Sequence, residues 1–265
     1  LVAFLMTEPL STREIEVRHC SNLAEYEECV RLQHAVWGEE IAVPSALFVV
    51  AHHTGGQVVG AFHDTKMAGF TLALAAMRAG KPFLHSHMTA VLPEFRDRGI
   101  GRRLKLFQRQ DALKLGIDLI EWTFDPLDLK NAHFNLVRLG AVSRRCIPNC
   151  YGVTESPLHG GLPTDRLIAE WWLASERVKS VLADDVRPMK ASPERVPIPA
   201  DFAEVKENDR AAAAQIQTEV REQFQKWFAK GYAATGVESR EGVTDYLLEP
   251  SATINGVGLP ELAGT

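Results

Sequence analysis

Cysteine is scarce. Cys20, Cys29, Cys146 and Cys150 are the only four among 265 residues, too few for the disulfide framework of a secreted scaffold. Cys146 and Cys150 flank Ile147-Pro148-Asn149, a spacing that fits no common zinc pattern and lacks a second pair. The thiols therefore read as reduced and structural, and no metal is expected. A long apolar run is also missing, since none approaches the roughly 18 residues needed to cross a bilayer. The opening Leu1-Val2-Ala3-Phe4-Leu5-Met6 is briefly apolar but has no basic n-region or cleavage site, and Met6 reads as the natural initiator. A basic excess is lacking too: 29 Lys plus Arg face 34 Asp plus Glu, a formal charge of −5, which argues against a general nucleic-acid binder. A soluble cytoplasmic protein without membrane or nucleic-acid partners is the expectation. The hydrophobic fraction of 46% and charged fraction of 24% lie near the globular average and exclude wholesale disorder.

Periodicity then orders the chain. Residues 14–18 alternate as a half-buried strand, Ser21 offers an N-cap, and Leu23, Tyr26, Val30 and Trp37 fall at helical spacing. Strands at 57–62 and 67–74, joined by Asp64-Thr65-Lys66, carry a hairpin signature. A further strand is predicted over 83–91. A helix follows from Gly99, with Ile100, Leu104 and Phe107 on one stripe and Gly116 as its stop. Residues 117–124 read as a strand ended by Asp125-Pro126, 128–139 as a helix closed by Gly140, and 165–173 as another strand. Pro188, Pro193, Pro197 and Pro199 then crowd residues 184–200, a linker or extended crossing. Beyond it Asn208 caps a helix whose face carries Ile216, Val220, Phe224, Trp227 and Phe228. Residues 231–237 and 245–248 suggest a terminal hairpin.

The stretch with chemical content runs Val91-Leu92-Pro93-Glu94-Phe95-Arg96-Asp97-Arg98-Gly99-Ile100-Gly101-Arg102-Arg103. A strand ends, a short loop follows, and two glycines open an arginine-lined helix. Glycine lets a ligand approach the backbone, and the free amides of a first helical turn point at an anion. The helix dipole and the arginines add positive potential, so a pyrophosphate is the natural guest. No P-loop occurs, and position 104 is leucine where the dinucleotide fingerprint needs its third glycine.

The pattern Arg/Gln-x-x-Gly-x-Gly/Ala resembles the pyrophosphate loop of the GNAT (GCN5-related) N-acyltransferases. Val91-x-Pro93 before it and the Asn131-Ala132 helix closing with Leu139-Gly140 after it are similar to that family's order of elements, over roughly residues 14–175. The resemblance implies an α/β GNAT fold: a mixed, largely antiparallel sheet flanked by helices and split between its fourth and fifth strands. It implies that Arg96, Asp97, Arg98, Gly99, Ile100, Gly101 and Arg102 cradle the pyrophosphate of acetyl-CoA or another acyl-CoA. The backbone at Val91 would pair with the pantetheine arm, and Asn131 would bond it. A backbone amide near Val91 would stabilise the oxyanion.

On the preceding strand, His85 and His87 stand two apart and so on one face. Their spacing to Arg96 resembles the paired histidines of arylalkylamine N-acetyltransferases, which take the proton from the amine. An alkylammonium must lose a proton before it can attack a thioester, and an imidazole with an ordinary pKa near 6.5 can accept it. Two satisfied core histidines are the plainer alternative. Glu121 is a further candidate for base or for holding the acceptor's ammonium, and Asp125 stands near it in sequence; a buried hydrogen-bonded Glu and a turn-forming Asp are equally compatible. One departure stands out: where many family members carry a thiolate-protonating tyrosine, this chain has Leu136, leaving water, His133 or Tyr151 as substitutes.

The expected organisation is a GNAT core at 14–175, a Pro-rich linker or crossing at 176–200, and a C-terminal helix-hairpin extension at 201–250 packed on the core. The expected function is transfer of an acetyl or succinyl group from acyl-CoA to the primary amine of a small molecule such as an amino acid, by direct attack. The resemblance extends to a group of larger predicted bacterial acyltransferases, and the extension could complete the acceptor pocket or form a homodimer face. A protein N-acetyltransferase and a CoA-binding module without catalysis are the alternatives.

Overall fold

The structure, a computed structural model, describes residues 15–39, 42–153, 160–184 and 193–254. The apolar opening with Met6, residue Glu14 and positions 185–192 of the Pro-rich stretch, Pro188 among them, lie outside the described residues. Two compact units are present. The first takes in residues through 80 together with 84–115, and the second takes in 81–83 and residues from 116 on. This is an α/β chain with seven helices among the described residues and mostly antiparallel strand pairing.

The first unit begins with β1 (Ile15–His19) and α1 (Leu23–Trp37). Asn22, not Ser21, is the N-cap: its side chain accepts from Glu25 N at 3.0 Å while Ser21 N donates to the Glu25 carboxylate at 2.7 Å. That reciprocal pair shifts the boundary by one residue. A helix not anticipated from the periodicity, α2 (Ser45–His53), precedes β2 (Gln57–His63) and β3 (Lys66–Arg78). After the turn at Ala79-Gly80 comes β4 (Lys81–Val91), and α3 (Ile100–Lys114) closes the unit. Strand order is β1-β2-β3-β4, with Val17 opposite Ala61 and Val59 opposite Thr71. Phe48, Phe70, Leu72, Ile100 and Leu104 sit in its core.

The second unit contains β5 (Leu119–Phe124), and α4 (Leu129–His133), which continues into a π-helical turn at Phe134–Arg138. It then adds β6 (Val142–Ile147), β7 (Arg166–Trp172), α5 (Glu176–Leu182) and β8 (Glu194–Pro199). Helices α6 (Phe202–Asn208) and α7 (Arg210–Ala229) lead to the hairpin β9 (Tyr232–Arg240) and β10 (Val243–Pro250). The order is β5-β7-β6-β9-β10-β8. Within the Pro-rich stretch β8 is thus a strand. Its prolines are tolerated because it pairs on one side only, with β10, and Val196 and Ile198 are buried. Asp209, not Asn208, caps α7, accepting from Ala212 N at 2.9 Å, since Asn208 already ends α6. The buried face of α7 is Ala213, Gln217, Val220 and Phe224, with the Phe224 ring edge-on to Tyr246 at 5.0 Å.

Arg177 braces the end of the π-helical turn. Its half-buried guanidinium donates to Gly140 O at 3.1 Å and Leu136 O at 3.2 Å, and also to Thr235 O on β9. Those contacts satisfy carbonyls that a terminating helix leaves open. A C-terminal strand thereby holds an element placed a hundred residues earlier in the chain.

The buried face of α3 is not wholly apolar. Ile100, Leu104 and Ala112 share it with Lys105 and Gln108. Lys105 Nζ donates to Ser86 Oγ at 2.6 Å, and Gln57 Nε2 donates to Gln108 O at 3.2 Å and to Asp111 at 2.9 Å. Burial pushes the Lys105 amine down to about 7. The unfolded chain holds this proton up to the ordinary 10.5, so between about 7 and 10.5 it binds more protons than the native state, and stability rises with pH there. Below about 7 the cost of the buried charge is constant. We expect Lys105→Met to flatten that rise: thermal unfolding curves of the two proteins converge from pH 7 toward pH 10 and stay a fixed distance apart below 7. Parallel curves throughout would show that this amine does not titrate on folding.

Candidate active site

In the first unit, β4 alternates. Leu84, Ser86, Met88 and Ala90 are buried, and His85, His87, Thr89 and Val91 line the opposite, more open face. The two imidazoles stand 6.3 Å apart between ring centroids, which places both predicted histidines on one face. His87 keeps solvent contact, yet the protein around it removes enough water to lower its pKa below the ordinary value.

After Val91 the chain turns sharply. Leu92 N donates to Ala68 O at 2.9 Å, a single 3-10 turn covers Pro93–Phe95, and Phe95 is buried. Asp97 and Gly99 then take left-handed backbone angles, φ 59° and 75°. Gly99 is the N-cap of α3 and brings no side-chain acceptor to its first turn. The open amides there have the arrangement that binds anions.

Gly101 is informative because the fold does not require it. Its φ is not in the left-handed region, and a Cβ added there would meet no atom within 4 Å. Space over the helix head is also open at Gly99. Arg102 Nε is buried without a hydrogen-bond partner among the described residues. The other arginines divide their work. Arg96 Nε bonds Val91 O at 3.2 Å, Arg98 lies over the Phe95 ring at 5.8 Å, and Arg103 ties α3 to β1 through Ile15 O. Open glycines and bare amides fit the diphosphate of an acyl-CoA.

In the second unit, Glu121 on β5 is buried opposite Glu170 on β7. Arg145 donates to Glu121 at 2.6 Å and approaches Glu170 at 3.5 Å, and Arg144 also binds Glu170. A register shift between Ser143 and Cys146 delivers both arginines to this carboxylate pair. Arg144-Arg145 in tandem was the available sequence signal for it. Asp125 accepts from Leu127 N at 2.8 Å as a turn former, and burial raises its pKa. Asn131 is exposed on α4, Leu136 is fully buried, and the Tyr151 hydroxyl pairs with that of Thr123 at 2.9 Å. Among the described residues no group of three or more His, Cys, Asp or Glu side chains could hold a metal ion, and no helix is long and apolar enough to cross a membrane.

Residues 20–140 match the family model of the acetyltransferase (GNAT) family. The match covers a little under half of the chain, and with the fold it supports an acyl-CoA-dependent acetyltransferase. Among solved structures, the chain is similar to yncA of Salmonella typhimurium, a candidate acetyltransferase solved with its cofactor acetyl-CoA. The TM-score is 0.50 at 14% identity, over 60% of this chain and 94% of that one. A candidate acetyltransferase of Acinetobacter baylyi gives 0.50 at 14% identity, over 59% of this chain and 91% of that one. At such identities the likeness shows the fold. No curated protein sequence matches the chain.

If the glycine at 101 serves a ligand, filling its space should separate binding from folding. Gly101→Leu replaces a poor helix former with a good one and is expected to leave stability unchanged or raise it by up to about 1 kcal/mol. The same change should weaken acetyl-CoA binding by about tenfold or more, because the side chain occupies the diphosphate's approach. Unaltered affinity in calorimetry would remove this role from the loop.

Proposed function

We propose that the protein transfers an acyl group, acetyl or succinyl, from acyl-CoA to the primary amine of a small molecule such as an amino acid. One observation carries the reading: the head of α3 offers amides that no side chain caps, at glycines over which the fold leaves open space. Residues Arg96 to Arg102 bind the diphosphate, the Val91 backbone lies along the pantetheine arm, and Asn131 bonds that arm. The amine nitrogen attacks the thioester carbonyl, a carbon–nitrogen bond forms and the carbon–sulfur bond breaks.

His87 takes the ammonium proton, directly or through water, with His85 beside it on the same face. A lowered pKa keeps His87 neutral, and so able to accept, at physiological pH. Glu121 is held by Arg145, an arrangement better suited to balancing charge than to accepting a proton. The departing thiolate needs no strong acid, since a thiol titrates near 8.5; a solvent proton suffices where Leu136 provides none.

The test is a panel of amines and amino acids with acetyl-CoA and succinyl-CoA, reading free thiol. Release with small amines supports the reading. Release only with intact protein substrates would make this a protein acetyltransferase, and cofactor binding with no release would leave a CoA-binding module. With a responsive pair, kcat/KM should rise with pH through a pKa below 6.5, and His87→Ala should remove that limb and lower kcat by about a hundredfold. An identical profile in His85→Ala/His87→Ala would reassign the base.

A further inference from the structure

One buried amine has no role in cofactor binding or acyl transfer as proposed. Lys105 lies on the inner face of α3, with 4% of its surface exposed. Its Nζ donates to Ser86 Oγ on β4 at 2.6 Å, and that hydroxyl donates to Gln108 Oε1 at 3.4 Å. Lys105, Gln108, Ser86 and the head of α3 all belong to the first unit. The partner hydroxyl is neutral and offers the amine no counter-charge.

Position along the helix determines which charges the amine senses. At about 1.5 Å per residue, the Lys105 backbone stands roughly 8 Å behind Ile100, where the uncapped amides begin. Packed protein screens a charge over that distance much less than water does. Burial alone lowers the Lys105 pKa, to about 7, so near neutrality its two forms are close in free energy and a modest field selects between them. The groups packed around it leave that choice to a ligand. Arg102 and Arg103 at the helix head and half-buried Arg109 keep their charge throughout. Asp111, further along α3, is held by His19 of β1 at 3.1 Å and by Gln57 of β2 at 2.9 Å. Elsewhere on β1, Arg18 pairs with Glu25 and Glu16 is exposed. Strands β2 and β3 carry titratable side chains only at their ends, His63, Lys66 and Arg78. His85 and His87 occupy the face of β4 opposite Ser86.

We infer that Lys105 is a proton-linked sensor of the cofactor: an anion bound at the head of α3 draws a proton onto the buried amine, so acyl-CoA binds more tightly as the pH falls. This rests on the proposed function, which places the diphosphate at that helix head. The neutral amine takes one proton from solvent and becomes an ammonium; no other bond changes. The free protein loses this proton near pH 7 and the complex loses it at a higher pH. Between those two values binding takes up a proton, and affinity drops with rising pH; above both it is constant.

The test is calorimetry of acetyl-CoA binding at pH 7.5 in Tris and in HEPES, whose different ionisation enthalpies turn proton uptake into a difference in heat. At that pH ordinary imidazoles and phosphate monoesters have lost most of their protons. The wild-type protein should take up about 0.3 proton per cofactor bound, and its affinity should drop about threefold from pH 7 to pH 9. Lys105→Met should abolish the buffer difference and flatten the pH dependence, with affinity matching the wild type at pH 9. Ser86→Ala removes the acceptor that favours the charged amine and should shrink the uptake at pH 7.5. Binding with equal heats in the two buffers would overturn the proposal, as would an uptake that persists in Lys105→Met. If Lys105→Met does not fold, an undiminished uptake in Ser86→Ala overturns it instead. Absence of saturable acetyl-CoA binding to the wild-type protein would refute the functional reading itself.

Discussion

Backbone hydrogen bonding is the constraint from which the rest follows. The first turn of a helix has amides without intrahelical partners, and most helices in this chain answer that need with a side chain: Asn22 for α1, Asp128 for α4, Ser175 for α5, Asp209 for α7. At α3 the capping residue is Gly99, which has no side chain to give. Helices α2 and α6 also start without a side-chain cap, but at α3 the space over Gly99 and Gly101 is open as well, which leaves room for an external acceptor. Arg102, with a buried nitrogen still unpartnered, adds charge at the same place.

The elements around that helix serve its placement. Arg103 fastens α3 to β1, and the Leu92–Ala68 hydrogen bond fixes where β4 gives way to the loop. The buried face of α3 carries Lys105 and Gln108 into contact with polar partners on β2 and β4. A greasy stripe would stabilise more, since a buried amine is costly. What the polar contacts add is a fixed rotation of the helix relative to the strand bearing His85 and His87.

Much of this was legible from residue order because its causes are local. The hairpin signature over 57–74 and the predicted strand over 83–91 correspond to β2, β3 and β4, and Gly99 with the arginines after it marked the start of α3. At 194–199 the prolines argued against a central strand, and the segment forms an edge strand, where proline is acceptable. Helix caps were misplaced by one residue at Ser21 and Asn208, where two polar neighbours compete and only the next turn's contacts decide. The contacts that escaped entirely are long-range pairings: Lys105 with Ser86, Arg145 with Glu121, Trp122 with Asn135, Arg177 with Thr235. No periodicity encodes these, because each depends on which strands become neighbours and on a bulge that redirects a side chain.

The most direct measurement is calorimetric titration of the wild-type chain with acetyl-CoA and, separately, with acetyl-pantetheine, which keeps the thioester and loses the diphosphate together with its nucleoside. The account predicts saturable binding of acetyl-CoA, and binding of the truncated thioester weaker by about a hundredfold or more, the loss expected when two charge-assisted hydrogen bonds disappear. Equal affinity for the two compounds, or no heat with acetyl-CoA, would contradict it.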